Sequence, residues 1–83
     1  MNLTAKEADT LQAVAEAIEQ ETGGQFGYVD FVEVDGLNVH QVCGTIGQLQ
    51  TKGLIQIIED EYNQVMMTAK GNEQAGVNFE TAF

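Results

Sequence analysis

The sequence predicts a small α+β domain that is mostly helical, and three observations support this. Residues 4–22 carry one apolar stripe at helical spacing, and residues 38–52 form a second helical segment with marked ends. Residues 54–68 place two runs of strand formers around a polar turn. With 83 residues, of which 43% are apolar, the chain can build one domain with a modest core. We therefore expect three helices and a two- or three-stranded sheet.

The first helix has the clearest signals. Thr4 and Glu7 have the spacing of a capping box, in which a hydroxyl and a carboxylate each accept an otherwise unpaired backbone N–H. Gly23 and Gly24 are expected to end the helix. The residues expected to enter the core recur at steps of three and four: Ala8, Leu11, Val14, Ala15 and Ile18.

The segment from residue 26 to residue 34 is ambiguous. Its aromatic and β-branched residues favour a strand, whereas the spacing of Tyr28, Phe31 and Val32 suits a short helix. Because a short helix fits the order of the elements that follow, we expect one here, preceded by at most a residue or two of strand.

The helix predicted over residues 38–52 has signals at both ends. Asn38 is the expected N-cap, with Gln41 at the capping-box position. Lys52 suits the last turn, where a cation meets the negative end of the helix dipole. Gly53 is the expected left-handed stop, after which the next residue folds back in a Schellman ending. The face expected to enter the core is marked by Val39, Val42, Ile46 and Leu49.

Two glycines inside this helix, Gly44 and Gly47, require an explanation, because each costs about 1 kcal/mol relative to alanine. They form either a flat patch on which another backbone rests or an opening for a bulky side chain of the same chain, such as Phe26 or Tyr28. The neighbouring Cys43 is expected to be a small buried hydrophobe.

Residues 54–58 and 64–68 predict a β-hairpin, with one of Met66 and Met67 entering the core. Thr68 to Gly71 is predicted to form a turn or a single helical turn. We assign residues 1–71 to the domain and residues 72–83 to a tail or short helix. In that tail, Phe79 and Phe83 are expected to dock on the domain; a short partner-binding motif is the alternative.

Over residues 4–71, the predicted order of elements is helix, short helix, turn, helix and hairpin. This order resembles that of the winged helix-turn-helix superfamily of small bacterial and phage regulators. Three short motifs carry the resemblance: Gly-Leu-Asn at residues 36–38, Lys-Gly-Leu-Ile at residues 52–55 following Leu49, and Thr-x-x-Gly at residues 68–71. The fold class is then a winged helix, with three helices plus a two- or three-stranded β-wing. The motifs do not assign a subfamily.

The resemblance implies that the helix over residues 38–52 presents its outward face to a partner. The family pattern implies contacts at Asn38, His40, Gln41, Gly44, Thr45 and Gln48. We add Gly47, the second glycine, and Lys52, the cation at the helix end. Family members commonly carry arginine or lysine at the positions of Gly44, Gly47 and Gln48, where they hold phosphates and guanine edges. This chain departs from the family there.

The charge of the chain bears on which partner this helix binds. Thirteen acidic residues and three lysines give a formal net charge of −10, which repels nucleic acid at long range. None of the acids lies between residues 36 and 58. We therefore expect macromolecular binding by this acid-free helix, through protein–protein interaction or self-association, with a protein partner or a homodimer.

Two alternatives stay open. One is a dimeric DNA-binding transcriptional regulator, since the helix offers amide side chains and His40 to DNA. The other is an acidic DNA mimic that inhibits a DNA-binding protein through carboxylate clusters near residues 16–21, 30–35 and 59–61. Solvated faces are the simpler explanation of these clusters.

Other functional classes lack the motifs they require. The sequence contains no metal-ligand spacing, no phosphate-binding glycine loop and no nucleophile elbow, so we expect no enzyme activity, no cofactor, no metal and no small-molecule substrate. No apolar run approaches the roughly 20 residues of a membrane span, and the N-terminus has no signal pattern. A cytoplasmic protein is the expectation.

Overall fold

The computed structural model describes residues 2–59 and 62–81. In this part of the chain the backbone forms three α-helices and a three-stranded antiparallel sheet with strand order β1-β3-β2. The elements are α1 (Ala5–Thr22), β1 (Gly27–Tyr28), a 3-10 helix (Val29–Phe31), α2 (Val39–Thr51), β2 (Ile55–Ile58), β3 (Gln64–Met67) and α3 (Ala69–Ala75). The fold is α+β and mostly helical, as the sequence predicts.

The capping box of α1 is formed as expected. The hydroxyl of Thr4 accepts the N–H of Glu7 at 3.1 Å, and the carboxylate of Glu7 accepts the N–H of Thr4 at 2.9 Å. Gly23 ends the helix in the left-handed conformation, with φ of 77°. Of the predicted core stripe, only Ala8 is incompletely buried.

The core lies between α1, α2 and the sheet. Burying one large apolar side chain contributes about 1.5–3 kcal/mol to stability. The largest fully buried apolar side chains are Leu11, Ile18, Ile46, Leu49, Leu54, Ile55 and Met67. Met67 is therefore the methionine of the hairpin that enters the core.

The short helix predicted in residues 26–34 is reduced to the 3-10 helix after β1. Gly27 lies opposite Val65 of β3, and a Cβ at this position would come within 3.0 Å of the backbone nitrogen of Ile18. The missing side chain lets β1 pass directly over the backbone of α1. The pairing of β1 with β3 keeps the chain extended as far as Tyr28, so the helical part is limited to Val29–Phe31.

The end of α2 has the predicted Schellman geometry. The N–H of Leu54 bonds the carbonyl of Leu49 at 3.0 Å, and the N–H of Gly53 bonds the carbonyl of Gln50 at 2.9 Å. Thr68 closes the same corner, because its hydroxyl donates to the carbonyl of Gly53 at 2.7 Å. The helix end is thereby tied to the strand that leaves the hairpin.

The Thr-x-x-Gly motif has a physical basis in this corner. The hydroxyl of Thr68 also accepts the N–H of Gly71 at 3.1 Å and so caps α3. A Cβ at Gly71 would overlap the carbonyl oxygen of Leu54. The motif therefore provides a cap at its first position and a close approach of two backbone segments at its last.

The helix α3 is longer than the single turn predicted from the sequence, and the segment after it lies on the domain. The side-chain amide of Asn72 donates to the carbonyl of Phe79 at 2.8 Å and accepts the N–H of Phe79 at 3.3 Å. The ring of Phe79 packs partly buried against the core and beside Gly24. The expected docking of Phe79 is confirmed; Phe83 lies outside the described residues.

Candidate functional site

The outward side of α2 is the surface singled out by the sequence. One exposed stripe runs along it at steps of three and four residues. We call this stripe the α2 face, and its residues are His40, Cys43, Gly44, Gly47, Gln48 and Thr51. Val42, Ile46 and Leu49 hold the opposite side of the helix in the core. The α2 face is thus presented by a rigidly anchored element.

The two helix glycines face outward. A Cβ added at either Gly44 or Gly47 would meet no atom of the described residues within 4 Å. The explanation that they admit Phe26 or Tyr28 is therefore wrong for the described part of the chain. Neither glycine has a positive φ, so the backbone conformation does not require them either.

Two further expectations about α2 are wrong. Cys43 is exposed, because it follows Val42 by about 100° around the helix and so leaves the core-facing arc. Val39 is 74% exposed, although it lies three residues before Val42 on the expected apolar face. Only the later turns of α2 are covered by the rest of the domain. The α2 face therefore contains a thiol and borders an exposed valine.

Two of the predicted contact residues, Asn38 and Gln41, are engaged with each other at the start of α2. The side-chain oxygen of Asn38 accepts the N–H of Gln41 at 2.9 Å, and the side-chain oxygen of Gln41 accepts the N–H of Asn38 at 2.9 Å. A bidentate contact to adenine needs both the oxygen and the nitrogen of an amide side chain. The capping bonds hold both side-chain oxygens against the backbone of the first turn, which restricts the orientation in which either amide could meet adenine.

Thr45 does not lie on the α2 face. It is 2% exposed, and its hydroxyl donates to the carbonyl of Gln41 at 2.8 Å. Four positions of the predicted contact set are exposed along the α2 face, and they are His40, Gly44, Gly47 and Gln48. The structure brings these four together and places Thr45 on the core side.

Lys52, the cation of the predicted set, is already paired. Its ammonium donates to the carboxylate of Glu7 at 2.8 Å, and the Glu7 side chain is only 4% exposed. The hydrogen bond from Lys52, followed by the backbone hydrogen bond from Thr4, holds the pKa of the Glu7 carboxyl below its ordinary value. Lys6 lies on α1 and Lys70 on α3, so neither adds positive charge to α2.

An aromatic cluster was not singled out from the sequence. Tyr28 makes edge-on contacts with Phe26, Phe31 and Tyr62, at ring-centroid distances of 5.7, 5.8 and 5.9 Å. Phe31 is 58% exposed and Tyr62 is 61% exposed. The density of aromatic residues from 26 to 31 was the available signal, but Tyr62 reaches the cluster only through the pairing of β1 with β3.

Of the acidic hairpin tip, Glu59 is exposed, and the other two acids lie outside the described residues.

The described part of the chain contains neither a metal-binding cluster nor a membrane-spanning helix. Among residues 2–59 and 62–81, no group of three histidine, cysteine or acidic side chains is arranged to hold a metal ion. Within the same ranges, no helix combines the length and apolar character of a membrane span. Comparison of the chain with protein-family models, curated proteins and solved structures found no match.

Proposed function

We propose that this chain is a winged-helix module that acts by self-association through the α2 face. The order of elements and the sheet order are consistent with a winged-helix layout, in which α2 takes the place of the recognition helix. The observation that carries the function is the pair of outward glycines on an otherwise uncharged helix face.

The glycines support a close contact because the fold gives no other reason for them. Together, Gly44 and Gly47 cost α2 about 2 kcal/mol relative to alanine, and the surrounding described residues gain nothing in return. A small-residue patch lets a second backbone come closer than ordinary side chains allow, which increases the dispersion contacts. The α2 face is the place where this gain is available.

A second copy of the chain is the partner that suits this surface. In a two-fold dimer the same patch meets itself, so a flat surface without protruding side chains is complementary to its own copy. Each copy carries a net charge of −10, and two copies repel at long range. The absence of acids from residues 36–58 keeps this repulsion out of the contact itself.

The DNA-binding alternative has less support. Lys52 is paired with Glu7, and the side-chain oxygens of Asn38 and Gln41 are used in the cap. The α2 face then offers DNA only His40 and neutral groups. Phosphate neutralisation by lysine and arginine supplies most of the affinity of ordinary DNA-binding proteins. The mimic alternative rests on exposed carboxylates alone.

Salt dependence separates self-association from DNA binding. Added salt screens the repulsion between two acidic copies, so dimerisation should strengthen as the salt concentration rises. DNA binding has the opposite dependence, since salt weakens protein–phosphate contacts. Sedimentation velocity at several salt concentrations measures the first, and fluorescence anisotropy with labelled duplex DNA at low salt measures the second.

Variants assign the contact to the α2 face. Gly44→Arg should abolish the dimer while the far-ultraviolet circular dichroism stays unchanged, because the added side chain points into solvent in the monomer. Gln20→Arg is the matched control, since it adds the same charge at an exposed position of α1. A chain that stays monomeric at every salt concentration, or a dimer that tolerates Gly44→Arg, would refute self-association through this face. Tight low-salt DNA binding by the wild type would favour the regulator.

A further inference from the structure

A small pocket lies among aromatic side chains and shares no lining residue with the α2 face. Three aromatic side chains line it, and the rings of Phe31 and Tyr62 stand at 88° and 71° to the ring of Tyr28. Asp30 also lines the pocket, which has a volume of about 230 Å³. We call it the aromatic pocket, lined by Tyr28, Asp30, Phe31 and Tyr62.

The backbone holds this pocket in place. Tyr28 lies in β1 opposite Gln64 of β3, and the N–H of Val29 bonds the carbonyl of Asn63 at 3.1 Å. These contacts fix the segment that carries Tyr28 and Phe31 beside the residue that follows Tyr62. Behind the pocket, the ring of Phe26 packs edge-on against Tyr28. The aromatic groups are therefore positioned before any ligand arrives.

The pocket has the chemistry of a cation site. The faces of aromatic rings carry a negative quadrupole, and several rings around one space attract an ammonium or guanidinium group. Asp30, an acidic residue, is also among the residues that line the pocket. A volume of about 230 Å³ is below the range of about 300–1,000 Å³ for pockets that hold drug-sized ligands, so it suits a single side chain. We propose that the aromatic pocket binds a lysine or arginine side chain of a basic peptide segment.

An adjoining acidic groove favours a peptide with several cations over a ligand with a single cation. Phe31 also lines this second groove, of about 460 Å³, which runs beside α1. Four carboxylates line it, from Asp9, Glu16, Glu33 and Asp35. A segment with one cationic side chain in the aromatic pocket would place its neighbouring cations along these acids. The two grooves share no residue with the α2 face, so this proposal is independent of self-association.

Binding is tested with a fluorescein-labelled octapeptide of alternating arginine and glycine, followed by anisotropy. The same peptide with citrulline in place of arginine is a neutral isostere and should not bind. Phe31→Leu and Tyr62→Leu should each weaken binding about three- to ten-fold, because they remove a ring face and keep an apolar side chain. Both positions are more than half exposed, so the domain should stay folded.

Charge controls separate the pocket from general attraction to an acidic protein. Glu33→Gln and Glu19→Gln change the net charge equally, but only Glu33 lines the groove. Glu33→Gln should weaken binding more, and amide shifts in nuclear magnetic resonance spectra should concentrate at residues 28–35 and along α1. The proposal is overturned by no binding at low salt, by equal effects of Phe31→Leu and Glu19→Gln, or by free arginine binding as tightly as the peptide.

Discussion

The ammonium of Lys52 lies 2.8 Å from the carboxylate of Glu7 and joins the end of α2 to the start of α1. The same carboxylate accepts the N–H of Thr4, so one side chain serves both a helix cap and an ion pair between helices. The two residues are 45 positions apart in the chain. Glu7 therefore takes part in a capping box that the sequence predicts and in an ion pair with Lys52 that the sequence does not predict.

Removing the charge of Glu7 should lower stability in a pH-dependent way. The pKa of this carboxyl is lowered in the folded chain, mainly by the hydrogen bond from Lys52, so the ionised form stabilises the fold. This contribution is complete above the unfolded-state pKa of about 4.3 and is lost as the pH falls through the lower folded-state pKa. Urea unfolding of wild type and Glu7→Gln at a series of pH values measures it.

Glu7→Gln isolates the ion pair, because glutamine can still complete the capping box. The stability difference between wild type and variant should be largest near neutral pH and should disappear in acid. Other carboxylates titrate equally in both proteins and cancel in this difference. A difference that is constant from neutral pH to acid would contradict the role assigned to the ion pair.

The outward glycines predict an unusual gain in stability. Gly44→Ala and Gly47→Ala should each raise the free energy of unfolding of the monomer by about 0.5–1 kcal/mol, because alanine is the better helix former and the space is open. Chemical unfolding at low protein concentration measures this. Gly71→Ala is the matched control and should lose about 1–3 kcal/mol or more, since its methyl group overlaps the carbonyl of Leu54. Loss of stability in both outward variants would show that the positions are covered in the monomer.

The features of this chain that the sequence predicts well are those formed by residues close together in the chain. The two capping boxes and the Schellman ending at Gly53 each need only four to six consecutive residues, and all are formed. The exposure of Val39 depends instead on how far the rest of the domain covers α2, whereas that of Cys43 follows from its angular position on the helix. Periodicity identifies an apolar face, but it does not show how much of that face another element reaches.

The candidate site shows the same division. The exposed positions of α2 follow from helix geometry, so Gly44 and Gln48 could be placed outward from the sequence alone. The pairing of Lys52 joins residues far apart in the chain, and the aromatic pocket needs Tyr62 to be brought beside Tyr28 by the register of β1 and β3. Neither arrangement leaves a pattern that spacing along the chain can reveal.

The segment after α3 should contribute directly to stability. Deleting residues 77–83 removes the packing of Phe79 and its two hydrogen bonds with Asn72, so the midpoint of thermal unfolding should fall. Phe79→Ala should lose about 1–3 kcal/mol, less than a fully buried phenylalanine, because the ring is only partly buried. Asn78→Ala, at an exposed neighbouring position, is the control and should change little. Unchanged thermal stability after the deletion would contradict docking of this segment.

A buried hydroxyl in α1 provides a test of the core. Thr10 is fully buried, and its side-chain oxygen has no hydrogen-bond partner among residues 2–59 and 62–81. An unpaired buried polar group is destabilising, and a methyl group of nearly the same size has no such penalty. Thr10→Val should therefore raise the free energy of unfolding by about 1 kcal/mol.

The matched control for this hydroxyl is Thr45→Val on α2. Thr45 is also buried, but its hydroxyl donates to the carbonyl of Gln41 at 2.8 Å. The same substitution there removes a hydrogen bond, so the free energy of unfolding should stay the same or fall, by up to about 1.5 kcal/mol. Urea unfolding of both variants gives the comparison. Destabilisation by Thr10→Val equal to that by Thr45→Val would mean that the Thr10 hydroxyl is satisfied in solution.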